Sequence, residues 1–114
     1  MKEPSKPIVL TMEDGKEYTL EFNRFTVALA ERNGFRTDDI DHLMMVRVPE
    51  LFYFSFKKNH PDITREETDK ILFDELGGIS EEITARLMEL YADAYMSLVN
   101  TEGKPKNPKV RILM

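Results

Sequence analysis

The residues best equipped for chemistry are two histidines, His42 and His60, and the carboxylates around them. His42 stands beside Asp38, Asp39 and Asp41. On a helix, Asp38, Asp41 and His42 share a face and would offer three oxygen or nitrogen ligands. That set matches no recognised metal pattern, and acids at a helix start are favoured by the dipole without any ion. His60 precedes Pro61 and reads as a turn residue. The pairs Glu66-Glu67 and Glu81-Glu82 fall in the first turns of predicted helices, where capping and dipole explain them. The absence of cysteine removes thiolate metal sites, disulfides and cysteine nucleophiles together. No nucleophile elbow, phosphate loop or dinucleotide fingerprint occurs. Gly77-Gly78 follow a helix and lack the lysine of a phosphate loop. Catalysis needs a nucleophile, base or metal supported by a second group. None is legible, so the expectation is a non-enzyme with no catalytic residues, metal or cofactor.

Apolar surface is the remaining resource. The chain has seven methionines, among them Met12, Met44, Met45, Met88, Met96 and Met114, and methionine makes adaptable contact surfaces. Two predicted helices carry apolar residues beyond one stripe. Tyr53 and Phe56 widen one of them; Met88, Tyr95 and Val99 lie beside the main stripe of the last. These five are the candidate partner-binding residues, with a place in the core as the competing expectation for each.

The elements that must position them begin with two apolar runs, Ile8–Met12 and Lys16–Phe22, around Asp14-Gly15. This is a hairpin signal spanning 8–22. A three-residue loop, Glu13-Asp14-Gly15, pairs Leu10 with Tyr18 and Ile8 with Leu20. It collects Ile8, Leu10, Met12, Tyr18, Leu20 and Phe22 on one face and leaves Val9 outside, so this register is preferred. Asn23 caps a helix over about 24–33, with Phe25, Ala28, Leu29 and Arg32 along one face and Gly34-Phe35 as its stop. Further helices are expected over about 38–47, 49–59, 65–76 and 81–99. Pro49 separates the second from the third as the first residue of the latter. Thr64 with Glu67 makes a capping box, and Ser80 caps the last helix. The fold class is α+β, mostly α: an N-terminal β-hairpin packed on a bundle of about four to five helices.

A length of 114 residues points to one domain, over 1–103. A hydrophobic share of 41% is enough for a small core and too high for a disordered chain. Residues 1–103 hold 12 basic and 21 acidic residues, a balance of −9, whereas 104–114 hold four basic residues and no acid. The acidic body repels phosphate backbones, so nucleic acid is not an expected partner. The basic, proline-containing segment 104–114 reads as a solvated tail whose deletion should leave the fold intact. No run approaches the ~20 apolar residues of a membrane span. Residues 1–5 lack the apolar core of a signal peptide. A cytoplasmic protein without membrane contact is expected.

The order of these features resembles the small tail assembly chaperones of siphophages and prophages of Gram-positive hosts. The residues that carry the resemblance are the hairpin Ile8–Phe22 with Asp14-Gly15, the Phe22-Asn23-Arg24 helix entry, Ala30-Glu31-Arg32-Asn33-Gly34-Phe35, and Val48-Pro49-Glu50-Leu51-Phe52. The resemblance implies binding to the helical tape-measure protein, with tail-tube protein as a second partner. It also implies a place in the cytoplasm of the host bacterium and absence from the finished virion. A weak homo-oligomer is compatible with it. The alternatives are a small acidic phage regulator or DNA-mimic inhibitor, and a small hydrolase or metal enzyme using Asp38, Asp41 and His42.

Overall fold

A computed structural model describes residues 5–98. The described chain runs from a hairpin, β1 (Ile8–Thr11) and β2 (Glu17–Leu20), to helices α1 (Arg24–Arg32), α2 (Met44–Phe56) and α3 (Arg65–Lys70). A π-helical turn, Ile71–Glu75, continues α3, and α4 (Glu81–Met96) closes the order. The architecture is α+β, a two-stranded antiparallel hairpin on four α-helices. The segment 104–114 and the end of the helix expected to reach residue 99 lie outside the described residues.

The hairpin takes the register that gathers its apolar residues on one side. Ile8 faces Leu20 and Leu10 faces Tyr18. The loop closes through Met12 N–H to Lys16 O at 2.8 Å and Gly15 N–H to Met12 O at 2.9 Å. Gly15 has φ +88°, the left-handed conformation that glycine reaches at low cost. Leu20 and Phe22 are buried, and Ile8, Leu10, Met12 and Tyr18 pack against the core, while Val9 is exposed.

A two-stranded sheet is marginal alone, and the end of α2 supports this one. Glu21 N–H donates to Ser55 O at 2.9 Å. Thr19 N–H donates to His60 Nε2 at 3.0 Å, and Asn59 Nδ2 donates to Thr19 O at 3.0 Å. The last turn of α2, through Ser55, and the residues after it, through the Asn59 and His60 side chains, thus occupy the place where a third strand would pair with β2. His60 is more than a turn residue: its ring also meets Tyr18 edge-on, with centroids 5.1 Å apart.

Helix α1 opens with a capping box, Asn23 Oδ1 accepting from Thr26 N–H and Thr26 Oγ1 accepting from Asn23 N–H. Its inner face is Val27 and Ala30, with Thr26. Phe25, expected on that face, is 82% exposed. The stop is as expected: Phe35 N–H reaches Ala30 O at 3.0 Å, and Phe35 is buried against Tyr91.

Two expected helices are corrected. Residues 38–42 form turns, and one helix, Met44–Phe56, runs through Pro49 in place of segments over 38–47 and 49–59. Proline here forfeits the bond to the Met45 carbonyl, but Met45 lies in the first turn of the helix and is itself 80% exposed. Val46 and Arg47 N–H both close on Leu43 O, which starts the helix ahead of the proline. Arg47 then spans it, pairing with Glu50 at 2.8 Å and with Asp39 at 2.8 Å. The expected helix 65–76 is also divided. Its first part keeps the Thr64–Glu67 capping box, and its second widens to a π turn in which Leu76 N–H bonds Ile71 O. Ile71 and Leu72 are both buried, and the wider turn leaves Phe73 half exposed.

The core sits where α2 crosses the hairpin and α4. Leu51, Phe52, Phe56, Leu72 and Leu87 are among its fully enclosed side chains. Ser55 is tolerated at 0% exposure because its Oγ donates to Phe52 O at 2.6 Å. The N-terminal segment is tied across α4 by Ser5 N–H to Asp93 and by Arg86 to Lys6 O. Among the described residues no helix is long and apolar enough to cross a membrane.

Candidate partner-binding site

The first turn of α2 carries Met44, Met45 and Val46 with no acidic residue, and all three are exposed. Across from them the π turn presents Phe73. Between these elements and the start of α4 lies an open apolar hollow of about 480 Å³. Its floor is Val48, Pro49 and Leu72; its walls include Met44, Met45, Phe73 and Ile79. Glu81 stands on its rim, and Thr84 and Ala85 of α4 close one side. Each element has a local reason to leave this surface open. Pro49 is buried in the floor with no N–H to satisfy, and the π turn leaves Phe73 off the inward face that Ile71 and Leu72 occupy.

A second hollow of about 450 Å³ lies beside the C-terminal half of α4. Met88, Tyr91, Ala92 and Tyr95 line it from the helix, and Phe35 and Asp38 line it from the loop after α1. Its rim holds Glu31, Arg36 and Asp38. Tyr91 is buried between Phe22 and Phe35, its ring 5.2 Å from each. Burial and the nearby Glu31 carboxylate push its phenol up to about 12.

The five candidates from the sequence separate in the structure. Met88 and Tyr95 share the second hollow. Tyr53 is half-buried against the core, edge-on to Phe54 and under the Lys57 ammonium. Phe56 is corrected: at 0% exposure, with its ring against Phe52 and Tyr18, it is core and presents nothing to a partner. Val99 lies outside the described residues. Sequence reasoning missed Phe73. The signal was the run Ile71-Leu72-Phe73, three apolar neighbours that cannot all face one side of a helix.

Of the acids near His42, Asp39 has a structural occupation. Asp39 takes two hydrogen bonds from Arg47, at 2.8 and 3.2 Å. Those bonds hold its carboxyl below the usual aspartate range, and the Arg47 guanidinium rises correspondingly. At Glu21 burial pushes the carboxyl up, but the Asn59 hydrogen bond and the Lys58 ammonium outweigh it and leave it lowered. Among the described residues no three histidine, aspartate or glutamate side chains converge to hold a metal ion. The arrangement offers apolar contact with a carboxylate rim.

The family profile described as "Domain of unknown function (DUF5055)" matches residues 4–113, and the chain belongs to that family. No curated protein and no solved structure matches it.

Proposed function

We propose that this DUF5055-family chain is a non-enzymatic binding chaperone of phage tail assembly, covering an amphipathic stretch of the helical tape-measure protein. The observation that carries the reading is the open hollow at the start of α2, with Met45 80% exposed and Met44 57% exposed. A domain this small gains by burying such side chains, at about 25 cal/mol per Å² of apolar surface. Leaving methionines out suits a surface that adapts to more than one stretch of a long helical partner. The order of hairpin, Asn23-capped helix and Pro49-bearing helix supports the phage assignment through its resemblance to tail assembly chaperones. The carboxylate-rich body suits keeping a self-associating helical protein in solution.

The test is co-expression with fragments of a phage tape-measure protein. A soluble, co-purifying complex is expected, and Met45→Glu together with Phe73→Glu should abolish it while the chain stays folded. Recovery of the fragment as aggregate regardless of the chain would end the reading.

A further inference from the structure

The two hollows lie on one face of α4. At 100° per residue, Ala85, Met88, Ala92 and Tyr95 fall in a single stripe, with successive spacings of three, four and three residues. That is the seam pattern of a helix that packs against another helix. It runs beside the stripe that faces the core, which is carried by Leu87, Leu90 and Tyr91, and Met88 stands on the border between them, half-buried against that core. Ala85 and Ala92 are exposed small side chains, so a partner backbone can approach to the usual 8–10 Å helix spacing. Helix α4 has 16 residues, about 24 Å, which is room for about four turns of a partner.

The charges on the rim select among helices. Glu81 stands at one end of the stripe, and Glu31 and Asp38 at the other. Among the described residues Arg36 is the one cation lining either hollow, against three carboxylates. We propose that the two hollows form one trough along α4, whose occupant is an amphipathic helix of about four turns carrying Lys or Arg beside its apolar stripe. This inference rests on the reading of the chain as a helix-binding chaperone and names the chemistry of the helix.

Three synthetic amphipathic peptides of about four turns test it. They share one apolar stripe and differ in flanking Lys, Gln or Glu. Binding to the full chain is read by fluorescence anisotropy, and the chain's own association by sedimentation. The Lys peptide should bind tightest and lose most of its advantage near 1 M salt, where the Debye length is about 3 Å. Glu31→Gln with Asp38→Asn should weaken that peptide about fivefold and leave the Gln peptide unchanged. Ala85→Gln with Ala92→Gln, which fills the seam at exposed positions, should weaken all three by about tenfold or more with an unchanged melting temperature.

Equal binding of the three peptides would overturn the charge selection. Binding that ignores the Ala85 and Ala92 substitutions would place the site elsewhere. A dimer of the chain that these substitutions dissolve would make the occupant a second copy and overturn the proposal. If no peptide binds while tape-measure fragments still co-purify, the trough fails and the chaperone reading stands. If the Lys peptide binds as expected and no tape-measure fragment is held, the trough stands and the tail assembly reading fails.

Discussion

Phe56→Ala separates what holds the fold from what meets a partner. The Phe56 side chain is fully enclosed, with ring centroids at 5.0 Å to Phe52, 5.3 Å to Tyr18 and 6.2 Å to His60. Its truncation removes a transfer contribution of about 2–3 kcal/mol. A void of roughly 100 Å³, at about 24 cal/mol per Å³, adds about 2 kcal/mol if the site does not collapse. Partial collapse brings the expected loss to about 4 kcal/mol, within the range seen for buried phenylalanines. Tyr18 and His60 lose the ring they rest on, so the loss should extend to the hairpin. Urea unfolding of the full chain measures it through the midpoint at unchanged slope. Phe56→Leu, costing about 1–2 kcal/mol, keeps the measurement available if the alanine variant does not fold. Under the proposed function, the folded fraction of the leucine variant should bind tape-measure fragments as tightly as the unsubstituted chain does in the same assay. A loss below about 1 kcal/mol for Phe56→Ala, or impaired binding by folded Phe56→Leu, would refute the placement of this ring in the core.

Three other outcomes are expected. His60→Ala removes the acceptor for Thr19 N–H and should cost about 1–2 kcal/mol, with faster amide exchange at Thr19 as the local readout. Asp39 and Glu21 have lowered carboxyl values, so their stabilisation is full above the ordinary carboxylate range of about 4 and is lost as pH falls through the lower folded values. Urea midpoints should fall below about pH 4, with a shallower fall in Asp39→Asn. Tyr91 is the opposite case: its value is raised from 10.0 to about 12, so its stabilisation is present below pH 10 and is lost as pH climbs between those values. The alkaline loss should reach about 2 kcal/mol and vanish in Tyr91→Phe; an identical alkaline slope in that variant would assign the loss to the lysines.

What was legible in the sequence had local chemistry behind it. The hairpin register followed from the alternation of Ile8, Leu10 and Met12 against Tyr18 and Leu20, because a one-residue slip would have turned all of them to water. Asn23, Thr64 and Ser80 announced three helix starts through side chains that cap only their own turns. The elements that were misread depend on distant partners. Pro49 normally marks a boundary, yet Arg47 reaches Asp39 and Glu50 at once and holds the turn ahead of the proline in the helix. The π turn has no propensity signature of its own; it arises because Ile71 and Leu72 must both be buried. Phe25 is an inner residue by spacing, but α1 turns Thr26, Val27 and Ala30 to the core and Phe25 to solvent.

The same distinction explains why the candidate site was half visible. Met88 and Tyr95 were recognisable because α4 is long enough to show a second stripe beside its core stripe. Phe56 looked equivalent by spacing, but α2 is crossed by the hairpin on one side and α4 on the other, so apolar residues around most of its circumference find cover. Only its first turn extends past those neighbours, and there Met44 and Met45 remain exposed. An outer apolar residue therefore marks a surface where its helix leaves a flank uncovered, as α4 does at Tyr95. Where a helix is enclosed on several sides, the same residue is core. The methionines obey this rule: Met12, on the enclosed hairpin face, packs inward, whereas Met44 and Met45, at the free end of α2, line the hollow.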